Sequence, residues 1–264
     1  MAGNEKTEVL SEPRFARPGR INGETMEPLI GIYEESATQP YALGTLLEYN
    51  DGRAFQMCRA GGVALSKALM TSAEAVDAKL LDEIQTAKTQ AVGDYEITVL
   101  ITTGITLVED ELADGFMVAN KSNGIGDIYK IRASKVSASD DTQLTLLLET
   151  PLRTALAATT ELTITKHPCW DVVVTPTTRA AVVTGVPLID VTANYWFWAQ
   201  VRGITPMLVD AGDTLVVGEP AGYPATPGTA GGIGPIGADT DEYWGTPQYV
   251  ATADEAALID LKIR

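Results

Sequence analysis

Apolar and polar positions alternate with a period of two through much of this chain, the spacing of strands whose successive side chains point to opposite faces. Tyr95, Ile97, Val99 and Ile101 alternate with Glu96, Thr98, Leu100 and Thr102. Phe116 to Ala119 follows the turn at Ala113–Gly115. Tyr129, Ile131 and Ala133 alternate with Lys130 and Arg132. Leu144, Leu146 and Leu148 form another face after the polar turn Ser137–Thr142, and Leu162 and Ile164 make a strand before His167-Pro168. Upstream, Thr45–Tyr49 and Arg53–Cys58 flank Asn50-Asp51-Gly52, a loop ending in glycine that suits a bulged hairpin.

The richest stretch runs from Val183 to Pro220, where three short apolar runs are separated by turn residues. Tyr195, Phe197, Ala199 and Val201 share one face, and Trp196, Trp198 and Gln200 share the other. Aromatics on both faces predict burial on both sides, or a Trp face that meets another subunit. Gly203 breaks the run. Pro206 cannot donate a ladder hydrogen bond, so the run Ile204–Val209 belongs at an edge or a bulge. Asp210–Asp213 is a tight turn and Thr214–Val217 returns. Gln248–Ala251 and Ala257–Ile263 are the last strands.

One helix is predicted. Thr71-Ser-Ala-Glu74 has capping-box spacing, and Val76, Leu80, Ile84 and Ala87 follow at about one helical turn. Pro151 also suits the start of a one- or two-turn helix capped by Thr150. The expected fold is mainly β: a small antiparallel barrel with an inserted second β module, one helix and an extended N-terminal arm. Residues 1–40 make the arm, 41–70 plus 168–264 the barrel, 71–91 a helical linker and 92–167 the inserted domain. The arm is rich in Pro and Gly without sustained periodicity, and it carries Phe15, Ile21, Met26 and Leu29. Such a segment docks either on a partner or on its own domain.

Composition changes this picture in one respect. The 264 residues carry a formal charge of −16, which argues against nucleic acid as a main partner because phosphate binding needs a basic surface. No apolar run approaches a membrane span, and Met1–Arg20 is polar, without a signal-peptide core. That predicts a protein made inside a cell and kept there or released by lysis. Cys58 and Cys169 show no metal spacing and read as reduced, half-buried thiols, with a disulfide as the alternative.

Catalytic chemistry is not apparent. Gly232-Ile-Gly234-Pro-Ile-Gly237 fits a dinucleotide fingerprint as a string, but Pro235 sits inside it and no helical pattern follows to face an anion. His167, the one histidine, has no nucleophile pattern nearby. The carboxylate pairs Asp140-Asp141, Asp239/Asp241 and Asp254-Glu255 read as solvated turns, with adventitious Ca²⁺ as the alternative. Asn120-Lys-Ser122 is a glycosylation sequon, without meaning unless the chain is secreted. Trp170, Trp196, Trp198 and Trp244 would suit either a sugar site or core and interface anchors. No catalytic residue, cofactor or metal ligand is expected.

Four segments together resemble the β-barrel of tailed-bacteriophage capsid decoration (cement) proteins: Gly185–Ala193 (GVPLIDVTA), Tyr195–Gly203 (YWFWAQVRG), Leu208–Gly218 (LVDAGDTLVVG) and Gly234–Ala238 (GPIGA). The resemblance is best over about 180–263, and the Tyr41-Ala-Leu-Gly-Thr start and the Asn50-Asp-Gly hairpin are also similar to phage structural proteins. The arm and the central unit lie outside a minimal cement fold. The resemblance implies a non-enzymatic virion protein on the capsid exterior, assembled in the host cytoplasm. It implies the major capsid protein as partner and a homotrimer as the assembly, with no nucleic acid or membrane partner. Arg14, Phe15, Arg17 and Arg20 of the arm, with Trp196 and Trp198, are the expected interface residues. The alternatives are another virion β-module, such as a head-fibre, tail or baseplate subunit, and a β-rich carbohydrate-binding protein.

Overall fold

A computed structural model describes residues 20–21, 24–25, 28–81, 84–179, 181–237 and 242–263. The fold is mainly β, with essentially no helix. Contacts divide the chain into two units, Met1–Ala73 with Asp171–Arg264, and Glu74–Trp170.

The first segment carries β1 (Arg20–Ile21), β2 (Glu24–Thr25), β3 (Glu35–Ser36), β4 (Leu46–Glu48), β5 (Ala54–Arg59) and β6 (Thr71–Ser72). The middle unit carries β7 (Ile84–Thr86), β8 (Glu96–Leu100), β9 (Phe116–Lys121), β10 (Ile128–Ser134), β11 (Gln143–Leu148) and β12 (Glu161–Thr165). The last segment begins with β13 (Val173–Val174), β14 (Val183–Pro187), β15 (Trp196–Leu208), β16 (Thr214–Leu215) and β17 (Ala221–Gly222). It ends with β18 (Gly234–Pro235), β19 (Tyr243–Pro247), β20 (Ala251–Thr252) and β21 (Ala256–Lys262).

The middle unit is a closed six-stranded barrel in the order β10-β11-β8-β7-β12-β9, with every neighbour antiparallel. Alternation dictates its filling. Ile97 and Val99 of β8, Met117 of β9, Leu144 and Leu146 of β11 and Ile164 of β12 all point inward and are buried. Closure leaves no strand edge unpaired, which removes the template for pairing with another chain.

The other unit holds a thirteen-stranded sheet, with the path β18-β17-β19-β21-β15-β5-β4-β1-β2 and branches through β3, β6, β13 and β14. The small closed barrel expected of 41–70 plus 168–264 is thus an open, curled half-barrel. Its spine is β15, which does not stop at Gly203. One edge of β15 pairs with β5 from Trp196 to Arg202, and the other with β3, β14 and then β21 from Arg202 to Leu208. The bulge lies between Gln200 and Arg202, and Gly203 follows it with φ +85°, where a Cβ would lie 3.0 Å from Arg53 Cα, so glycine alone fits cheaply. Buried Gln200 stabilises the bulge by donating Nε2–H to the carbonyls of Arg202 and Ile204, both at 3.0 Å. Pro206 lies beyond the end of β5, where β15 has a strand neighbour only on the β21 side.

Two expected helices are absent among the described residues. In 71–91 the Thr71 hydroxyl does not cap a helix. It is buried, 2.6 Å from Gly185 O and 2.9 Å from the Thr184 hydroxyl, because β6 pairs with β14. A single 3-10 turn at Ala78–Leu80, capped by the Asp77 carboxylate, follows, and then β7 fills the gap between β8 and β12. Barrel closure needs that sixth strand, and the pairing overrides local helical spacing. Residues after Pro151 form bends, one isolated bridge and a turn in place of a helix: Leu152 N–H donates to Asp94 O, and Leu156 bridges Gln90. The hairpin at Asn50-Asp51-Gly52 is present, with Glu48 opposite Ala54 and Gly52 at φ +91°.

Candidate functional site

Of the expected interface residues, Arg14, Phe15 and Arg17 lie outside the described residues. Arg20 is placed by its backbone, which pairs in β1 with Glu48 of β4. Trp196 and Trp198 are buried, 5% and 1% exposed, within the sheet unit itself. The Trp198 indole N–H donates to Ile30 O at 3.0 Å, and its ring centroid lies 5.6 Å from that of Tyr41. Trp196 sits between Ser36 of β3 and Arg59 of β5. The Glu35 carboxylate fixes this covering segment by accepting from the Thr192 amide at 2.6 Å and the Thr192 hydroxyl at 2.7 Å. Each indole hides on the order of 150–250 Å² when covered, and here the chain's own residues 30–41 cover them. Neither ring is open to a sugar, and their burial requires no second subunit.

The aromatic surface sought on the Trp strand is replaced by an aliphatic one on the second half of the same strand. Thr205 and Met207 of β15 and Ala257 and Ile259 of β21 point into the core and are at most 1% exposed. Their alternates face outward. Pro206 stands opposite Leu258, and Ile204 opposite Asp260, which in turn faces Thr246 of β19. Ile204 is 43% and Leu258 41% exposed, and Pro206 is exposed too. An antiparallel sheet with one face in water normally turns polar residues outward, so apolar residues on both faces mark a surface that gains from being covered.

Charge at this face is paired in place. The Arg202 guanidinium donates to Glu48 Oε1 at 2.8 Å and to Gly52 O at 3.2 Å. Lys262 lies 3.2 Å from Asp260, whose hydrogen bond and negative charge, followed by the charge of Tyr243, hold its ammonium pKa above the ordinary lysine value. The apolar row is therefore bordered by compensated ions on a protein of formal charge −16. Further exposed apolar side chains lie in the loops after β16 and before β20. The β16–β20 ladder sets Leu215 opposite Ala251, which brings Val216 beside Val250 at the loop tips. Val216, Val217, Tyr249 and Val250 are all exposed, and the Tyr249 hydroxyl donates to Ala256 O at 2.7 Å, tying that loop to β21. Tyr249 and the ion-paired Arg202 are residue types enriched at protein–protein contacts, and the exposed aliphatic side chains beside them add apolar area that contact would bury.

The sheet unit also contains a carboxylate pair. Asp210, fully buried, accepts from the amides of Gly228 and Thr229 and so fixes the loop after β17. Burial, and then the charge of Asp210, push the pKa of Asp213 above that of an ordinary aspartate. Among the described residues no group of three or more His, Cys, Asp or Glu side chains is placed to hold a metal ion. His167 Nδ1 accepts from the Cys169 amide at 3.1 Å in a chain turn of the barrel unit. Cys58 and Cys169 are buried thiols rather than a disulfide. The glycines at 232–237 form the short strand β18 and its flanking loop. No helix among the described residues is long and apolar enough to cross a membrane.

Ile204, Pro206, Leu258, Tyr249 and Val250 are not among the interface residues expected from sequence. The usable signal is that Ile204, Pro206 and Leu208 are apolar while the alternate face, Thr205, Met207 and Val209, carries no charge either, so neither face of the strand is strongly polar. Comparison with protein-family models, with curated proteins and with solved structures finds no match for this chain.

Proposed function

We propose that this chain is a non-enzymatic capsid decoration protein, which binds the outer surface of a tailed-phage shell and braces it. The observation that carries this reading is the outward apolar row Ile204–Pro206–Leu258 with the adjoining Val216/Val217 and Tyr249/Val250 tips. The sequence resemblance supports it, because the segments that carry the likeness lie in and around β14, β15 and β18 of the large sheet and β16 of the neighbouring two-stranded ladder, all within the same unit. The major capsid protein is the partner, and the virion exterior the location. The trimeric arrangement follows from the resemblance alone, since the buried Trp pair no longer calls for it.

The test is a sedimentation assay with purified shells. Ile204→Glu with Leu258→Glu should abolish co-sedimentation while the free protein melts as before. Val136→Glu, at an exposed position of the barrel unit, should bind normally. Retention of full shell binding by the Ile204/Leu258 double variant would reject this face as the docking surface. Failure of the unmodified protein to bind any shell would reject the decoration reading.

A further inference from the structure

The hairpin between β9 and β10 is joined by residues 122–127 (SNGIGD) and is sharply turned. Ser122, Gly124 and Gly126 all have positive φ, at 71°, 74° and 86°. The turn is held by Ile125 N–H to Ser122 O at 3.3 Å, Gly126 N–H to Ala119 O at 2.8 Å and Asp127 N–H to Gly124 O at 2.8 Å. The Gly124 amide donates to nothing among the described residues. Asn123 is exposed, and Ile125 at the tip is 70% exposed.

Exposure, a following glycine and an unpaired following amide are features that favour intramolecular amide chemistry. The Gly124 nitrogen, losing its proton, attacks Asn123 Cγ; the C–N bond to the side-chain amide breaks and ammonia leaves. The five-membered succinimide is then opened by water at either carbonyl, giving aspartate or its β-linked isomer, with no oxidant or reductant involved. Glycine in the following position presents no Cβ to the closing ring. An unpaired amide has no hydrogen bond to give up.

The other described asparagines lack this combination. Asn50 precedes Asp51, and Asn120 lies inside β9 before Lys121. Asn194 precedes Tyr195, whose amide is tied to Thr192 O at 3.1 Å. We propose that Asn123 is a spontaneous modification site that converts to aspartate and isoaspartate in the folded protein. Conversion adds a carboxylate to the turn that already holds Asp127. Asp127 is in use, Oδ1 pairing with Arg153 at 3.2 Å and Oδ2 accepting from the Tyr129 hydroxyl at 3.2 Å.

The test is ageing of the full chain in buffers of increasing pH, followed by peptide mapping that separates asparagine, aspartate and isoaspartate. The expected result is loss of the Asn123 amide, faster at higher pH, at a rate comparable with a free peptide of residues 119–128. Asn50, Asn120 and Asn194 should stay intact over the same time, and Asn123→Gln should remove the reaction without changing the melting curve. Persistence of Asn123 after the free peptide has converted would overturn the proposal. Equal conversion at Asn50 or Asn194 would overturn it as well.

Discussion

The barrel unit and the sheet unit solve the same problem differently. Both must bury alternating apolar strands. The barrel closes on itself, so its edges vanish, and its outer surface mixes ion pairs such as Lys121–Glu161, Arg153–Asp127 and Lys130–Asp114 with exposed apolar side chains such as Leu100, Val108, Ile128 and Val136. The half-barrel stays open, and the outward face of β15 and β21 carries the apolar row Ile204, Pro206 and Leu258 between the charged Arg202, Asp260 and Lys262. A closed sheet can complete its burial alone. An open one can add to its burial by accepting a partner against the outward row Ile204, Pro206 and Leu258, and the proposed docking surface is placed there for that reason.

The strongest test of that contrast is a pair of core truncations. Phe197, 1% exposed in β15, and Leu146, fully buried in β11, each anchor one unit. Phe197→Ala should cost about 3–5 kcal/mol and Leu146→Ala about 2–5 kcal/mol. Hydrogen exchange should quicken first in β5, β14, β15 and β21 for the former, and around the barrel strands for the latter. Uniform loss across both units from either substitution would show that they do not act as separate cooperative bodies.

The next effect down concerns the outward row. A charge forced into a desolvated apolar contact should weaken binding by on the order of 2 kcal/mol, roughly thirtyfold. Ile204→Glu or Leu258→Glu alone should therefore reduce shell affinity by that much. Their melting curves should stay within about 0.5 kcal/mol of the parent, as for surface positions generally. A large fall in stability instead would mean that these side chains serve the sheet's own packing.

Much of the barrel was legible because one rule governs it. The alternation at Ile97/Val99/Ile101 and Leu144/Leu146/Leu148 translates directly into inward side chains, all at most 7% exposed. What failed was local helical spacing at Thr71–Ala87, where β6 and β7 are claimed by partners far away in sequence, Gly185 and Glu161. No local signal reports such a partner. The candidate face escaped for a related reason. Trp196 and Trp198 drew attention as large apolar residues, yet their cover, Ile30 and Tyr41, lies over 150 positions upstream in a stretch without periodicity. The modest Ile204, Pro206 and Leu258 lack such cover, and exposure cannot be read from residue type.

Asp213 offers a smaller effect with a definite sign. Its pKa is raised in the fold, by burial first and by Asp210 second, so the folded state holds its proton more tightly than the unfolded chain does. Ionising it therefore costs the fold stability at neutral pH. That cost is absent below the ordinary aspartate value of 3.8 and complete once pH exceeds the raised folded value. Asp213→Asn should raise the melting temperature at pH 7, and the gain should shrink to nothing as the pH is lowered through that window. A gain that persists unchanged in acid would assign the effect to packing against Gly234 rather than to charge.

The smallest effect tests the barrel's outer surface. Lys130 on β10 lies 2.8 Å from the Asp114 carboxylate and 3.6 Å from that of Glu149. Its hydrogen bond to Asp114 raises its pKa above 10.5, against a smaller opposing effect of burial. A lysine raised in the fold contributes stability that is fully present below the unfolded pKa and is lost as pH rises through the folded one. The contribution should therefore be flat from acid-neutral conditions up to about pH 9 and disappear only in strong alkali. The side chain is 42% exposed, so solvent screens it, and Lys130→Met should cost only about 0.2–1 kcal/mol. Raising the salt to 1 M, where the screening length falls to about 3 Å, should shrink the loss further. A penalty above about 2 kcal/mol that ignores salt would mean that the lysine stem, not its charge, packs the barrel wall, and that the closed unit depends on its surface as the open one does.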